Sequence, residues 1–123
     1  MGYTHVTVSV FNLQKSEPPY EAPFLVDTGA IICLGPGRDL RKAGIEPEGR
    51  EAYELANGTA VEYDYGFARI SFMGSETVTK IIFGPDKVEP HLGVTALESV
   101  GIGVDPVSQT LKRYAALPLK RQR

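Results

Sequence analysis

Of the 123 residues only Cys33 is a cysteine, and none is a tryptophan. A single thiol excludes an intrachain disulfide, so a reducing compartment suits the chain better than a secretory one. Long apolar runs are missing too, with nothing near the roughly 18 residues a membrane-spanning helix needs. The N-terminus lacks the charged-then-apolar order of a signal peptide. Val6 stands where a myristoylation motif after Met1-Gly2 requires Ser or Thr. Charge of one sign is scarce: 13 basic and 15 acidic residues leave a formal net of −2, which gives no electrostatic case for a nucleic-acid partner. His5 and His91 are the only histidines and neither lies near a carboxylate-rich cluster in sequence, so no metal site is expected. These absences read as a soluble, cytoplasmic protein that needs no membrane, nucleic acid, metal or cofactor.

What remains is ordinary globular composition, 42% hydrophobic and 23% charged, at a length that supports one domain. We place that domain at residues 1–116, followed by a solvated basic tail, 117–123, that carries Lys120, Arg121 and Arg123. Cys33 lies in the apolar stretch 31–34, where a buried, inert thiol is expected.

Thirteen glycines, nine prolines and many β-branched residues predict short strands and tight turns, hence an all-β fold. Val6, Val8 and Val10 alternate with His5, Thr7 and Ser9, the period of a strand with one buried face. After a Pro-rich connection over 17–23, Phe24-Leu25-Val26 is apolar on both faces, as a central strand is. Residues 38–44 allow one or two helical turns, with Leu40 and Ala43 inward and Gly44 as the stop. Asn57-Gly58 predicts a hairpin with a type I′ turn. Beyond it the alternation Val61, Tyr63, Tyr65, Phe67 slips to Ile70 and Phe72, and Gly66 at the slip predicts a bulge. A second turn at Met73-Gly74-Ser75 leads to a strand over 77–83. Thr95 and Glu98 have capping-box spacing for one short C-terminal helix, which Gly101 ends. A last strand is expected over 110–114.

The residues that carry chemistry are Asp27-Thr28-Gly29-Ala30, at the end of the apolar run. An Asp-Thr-Gly triplet arises by chance in about 2–3% of chains this long, so context decides its meaning. Two carboxylates about 3 Å apart cannot both ionise, so they share one proton. The ionised member then takes a proton from a bridging water while its neighbour donates to the developing oxyanion. In such a scheme Asp27 would supply one carboxylate. Thr28 can bond across a dimer axis, Gly29 offers an unobstructed N–H to the carboxylate, and Ala30 is small enough for a cleft floor. Asp39, Asp64, Asp86 and Asp105 lack a following Thr/Ser-Gly, so none provides the second half of a pair. One copy per chain works only by pairing with a second copy of the chain.

From His5 to Tyr114 the sequence resembles the retropepsin-like aspartic peptidases, the single-domain homodimeric branch that includes retroviral proteases. The resemblance rests on residues 24–30, on Leu55-Ala56-Asn57-Gly58-Thr59 as a flap tip, and on His91-Leu92-Gly93-Val94 ahead of a helix. It implies a small closed, barrel-like fold with one flap hairpin, active as a two-fold dimer. It further implies catalysis by Asp27, supported by Thr28, Gly29 and Ala30. Substrate contacts would come from Ala56, Asn57, Gly58, Thr59 and Val94, around an extended peptide or unfolded segment. His91 departs from the family, which favours an aliphatic residue there, and 33–36 replaces a more aliphatic stretch. The same residues also admit a non-catalytic dimerisation or peptide-binding module. A nucleotide site built on an Asp-x-Gly loop would need a longer chain and further Gly-rich loops.

Overall fold

The computed structural model describes residues 4–115. The expected domain end at 116 and the basic tail 117–123 lie outside the described residues. Nine strands and two short helices follow one another: β1 (His5–Phe11), β2 (Tyr20–Val26), β3 (Cys33–Pro36), α1 (Gly37–Lys42), β4 (Gly49–Glu54), β5 (Ala60–Phe72), β6 (Ser75–Gly84), β7 (His91–Leu92), α2 (Val94–Ser99), β8 (Ile102–Val104) and β9 (Leu111–Arg113).

Seven strands form one sheet in the order β1-β2-β7-β3-β6-β5-β4, and a further β1–β5 pairing closes six of them into a ring. Closure leaves β4 outside, attached to β5 as the second arm of a hairpin. Closing the ring suits an all-β chain of this size, because it leaves fewer open ladders to pair with other molecules. The ring is filled by Val8, Val10, Phe24, Ile70, Ile81 and Leu92, all fully buried, with Leu40 of α1 and Leu97 and Ile102 beyond it.

β1 buries the predicted valine face. β2 is central, between β1 and β7, but it begins earlier than expected and takes Pro23 into the ladder opposite Thr7. Proline is tolerated there because β7 covers only Leu25 and Val26 on the other side. Leu40 and Ala43 face inward from α1, and Gly44 ends it at φ 83°.

The type I′ turn expected at Asn57-Gly58 is not found there. Glu54 pairs with Ala60, and the Leu55 N–H donates to the Thr59 carbonyl, so three residues remain at the tip. An odd loop calls for a type I turn followed by one left-handed residue. Gly58 takes that position at φ 85°, and Asn57 Oδ1 accepts from the Thr59 N–H at 2.9 Å. The type I′ turn occurs instead at Met73-Gly74, where Phe72 pairs with Ser75 and both intervening residues have positive φ (52° and 77°).

There is no bulge at Gly66. The β5–β6 register runs without a break from Asp64↔Phe83 to Phe72↔Ser75. The alternation changes because the covered face changes: Gly66, Ala68, Ile70 and Phe72 turn into the ring, whereas Phe67 is exposed. Glycine is required at 66 by close approach, since a Cβ there would sit 2.7 Å from the Glu46 carbonyl oxygen.

The capping box is also replaced. Gly93, not Thr95, is the N-cap of α2, and Gly101 ends the segment at φ 73°. β9 pairs antiparallel with β8 within the chain, so any pairing of β9 across a dimer must use its other edge.

Candidate active site around Asp27

β2 and β3 are consecutive in sequence but not neighbours in the sheet, because β7 lies between them. The loop 27–32 therefore spans two inter-strand gaps, about 9–10 Å, across the end of β7. This crossing fixes the site. The Asp27 N–H donates to the Leu92 carbonyl at 3.1 Å, extending the parallel β2–β7 ladder one residue past the strand. The Ala30 N–H returns to the Asp27 carbonyl at 3.1 Å and closes the turn.

The chain then passes beneath its own loop. Gly93 packs against the backbone of Ile31 and Ile32, leaving no room for a side chain: a Cβ would meet three backbone atoms at 2.8–2.9 Å. The first turn of a helix has N–H groups without intrahelical partners. In α2 these are satisfied by the loop, with Val94 N–H donating to the Ala30 carbonyl at 2.9 Å and Thr95 N–H to the Ile31 carbonyl at 3.1 Å. Loop and helix cap one another, which is why no side-chain cap is used. The Gly93 N–H points to Cys33 Sγ at 3.4 Å. Burial pushes the Cys33 thiol up to about 11 against the opposing pull of that N–H, so it is neutral and inert at ordinary pH.

Within this frame the Asp27 carboxylate is half-buried and approachable. Oδ1 accepts from the Gly29 N–H at 2.9 Å. A side chain at Gly29 would place its Cβ 3.3 Å from the same oxygen. Oδ2 faces His91, whose Nδ1 lies 3.5 Å away, with side chains 36% (Asp27) and 28% (His91) exposed. β7 brings this about through its register, which sets His91 beside Leu25 on β2 and Leu34 on β3. Thr28 and Gly29 are exposed and Ala30 is half-covered.

Val94 is thus joined to the Asp27 loop through Ala30. Ala56, Asn57, Gly58 and Thr59 form the exposed tip of the β4–β5 hairpin, and among the described residues no hydrogen bond or ion pair ties them to Asp27. At its base the hairpin is braced. Lys80 Nζ contacts Glu51 Oε1 and lies 4.2 Å from the centre of the Tyr65 ring. The Tyr53 hydroxyl donates to Glu51 Oε1 at 3.1 Å. Among the described residues no group of three or more His, Cys, Asp or Glu side chains is placed to hold a metal ion. No helix there is long and apolar enough to cross a membrane.

His91 is the site residue whose position sequence reasoning missed. It stands 64 residues from Asp27, and only the parallel register of β2 with β7 brings them together. The available signal was its place two residues before Gly93, in the segment 91–94 that the resemblance sets ahead of the helix.

A closed ring of strands carrying an Asp-Thr-Gly loop braced by a short helix defines the retropepsin-like, aspartic-protease type of fold. Comparison with solved structures leads to the same class. The simian foamy virus (mac) protease in solution superposes with a TM-score of 0.54 at 13% identity, over 76% of this chain and 91% of that one. The foamy viral protease-reverse transcriptase, solved in complex with an RNA/DNA hybrid, gives a TM-score of 0.56 at 17% identity. That match covers 77% of this chain and 11% of the longer one. No family model matches the sequence. No curated protein matches it either.

Proposed function

We propose that two copies of this chain form an aspartic endopeptidase, with Asp27 of each protomer meeting on a two-fold axis. The observation that carries this reading is the approachable Asp27 carboxylate, oriented by the Gly29 N–H at the end of β2. The likeness to a viral protease fold supports it. In such a dimer the two carboxylates share one proton. The ionised one takes a proton from the bridging water as the water attacks the scissile carbonyl, and the protonated one donates to the oxyanion. Thr28 is exposed beside Asp27, and in this reading it bonds its counterpart across the axis. Ala30 and Val94 contribute to the cleft floor, and the tip at 56–59 closes over a peptide held in extended form by strand-like pairing. The chemistry uses neither metal nor organic cofactor, and we place it in the cytoplasm.

In this dimer Ile31, the residue after the tetrad and 69% exposed, would lie beside the partner's loop. Asp27→Asn tests the reading. Peptide hydrolysis is expected to disappear while the dimer remains folded; retained activity refutes it. A folded dimer whose wild type cuts nothing across a broad peptide library, from acid to neutral pH, establishes the non-catalytic dimerisation or peptide-binding module instead.

A further inference from the structure

We propose that His91 is a positioning residue for Asp27, its Nδ1–H donating to Oδ2 while the Gly29 N–H donates to Oδ1; this rests on the proposed peptidase function. A carboxylate on a single donor is poorly fixed, because the terminal torsion of Asp is broad and roughly two-fold. One donor on each oxygen removes that freedom before a second subunit or a water molecule arrives. The backbone makes the arrangement stiff. The Asp27 N–H is bonded to the carbonyl of Leu92, the residue that follows His91, so both side chains hang from one parallel ladder.

The surroundings leave the imidazole to Asp27. Glu89, the nearest acidic residue in sequence, is engaged by His5 Nε2 at 3.0 Å. On the other side of His91, β3 presents Leu34, and the Cys33 thiol is buried and neutral. Both members of the pair are more than half covered, which strengthens a polar contact relative to water. At 3.5 Å the contact is longer than a good hydrogen bond, and such contacts tighten when substrate closes the site. An aliphatic residue at this place could pack but could not orient a carboxylate.

The first test needs no turnover. With only two histidines, long-range imidazole ¹H–¹⁵N correlation at pH above about 8 shows which nitrogen of each neutral ring carries the proton. His5→Gln assigns the signals. His91 is expected in the Nδ1–H tautomer, and Asp27→Ala is expected to return it to the Nε2–H form that free histidine prefers. His5, whose Nε2 faces Glu89, stays Nε2–H in both proteins. An Nε2–H His91 in the wild type, or one indifferent to Asp27→Ala, overturns the proposal.

The second test is kinetic. His91→Leu is expected to lower kcat about five- to ten-fold with KM within about two-fold. His91→Asn, whose amide nitrogen occupies the place of Nδ1, is expected to restore most of that loss. Wild-type kcat in His91→Leu, or no recovery in His91→Asn, contradicts it. The two readings fail separately. An Nδ1–H tautomer in a protein that cleaves nothing upholds the contact and removes the peptidase. Cleavage with an Nε2–H His91 upholds the peptidase and removes this role.

Discussion

Gly93→Ala probes whether the Asp27 loop and α2 really hold one another. The backbone at Gly93 (φ −87°, ψ 169°) suits alanine, so no conformational strain is involved. The effect comes from space alone. The new methyl would meet Ile31 O and Ile32 C at 2.8 Å and Ile31 C at 2.9 Å, all backbone atoms that no rotamer change can move. Helix and loop must separate by several tenths of an ångström. Overpacking of this kind costs about 1–3 kcal/mol. The same movement stretches the bonds from Val94 N–H to Ala30 and from Thr95 N–H to Ile31, each worth about 0.5–1.5 kcal/mol. Partial loss of both brings the total to about 2–4 kcal/mol. For a chain of this length we take about 3–5 °C in Tm per kcal/mol, so the Tm followed by circular dichroism should fall by about 6–20 °C. Gly58→Ala is the control. It meets nothing within 4 Å but sits at φ 85°, so it costs only the left-handed strain, about 1–2 kcal/mol. A Gly93→Ala protein less destabilised than Gly58→Ala would show that the loop is not braced by the helix.

Two other expectations concern stability. Met73 holds a left-handed φ of 52° at a type I′ position, so Met73→Asn should stabilise by about 1 kcal/mol, seen as a higher Tm. Glu51 and Glu76 are held below the usual carboxylate range, Glu51 chiefly by its hydrogen bond to Lys80 and Glu76 chiefly by its bond to Lys15. Asp105 is held low by the Val107 and Ser108 N–H groups. Depressed carboxylates contribute stability that is present above their unfolded-state values and lost as pH falls through the folded ones. Urea midpoints should therefore drop below about pH 4, and less steeply in Lys80→Met than in the wild type.

Much of the fold was legible because short-range chemistry wrote it. The valine alternation of β1, the apolar run of β2 and the two glycine turns each follow from period and backbone freedom. What escaped depended on partners distant in sequence. The tip at 56–58 is a type I turn because the Glu54↔Ala60 register leaves an odd loop, and register is not carried by Asn-Gly itself. Gly66 reads as a bulge until the Glu46 carbonyl is found against it. Thr95 and Glu98 have the spacing of a cap, yet α2 starts from Gly93, and the Ala30 and Ile31 carbonyls take the Val94 and Thr95 N–H groups. For the site, Asp27 and Gly29 are four-residue chemistry and were visible. His91 was not, because its neighbour across the ladder lies in another part of the chain.

Subunit mixing tests most directly whether each active centre draws one acid from either protomer. Wild type and Asp27→Asn are combined in equal amounts, allowed to exchange to equilibrium, and assayed for peptide cleavage at fixed total protein. If both Asp27 carboxylates are needed, only the dimers with two wild-type chains act, and activity falls to about one quarter of that of the unmixed wild type. Activity of about one half would mean that each chain works alone, and the paired-carboxylate mechanism would be wrong.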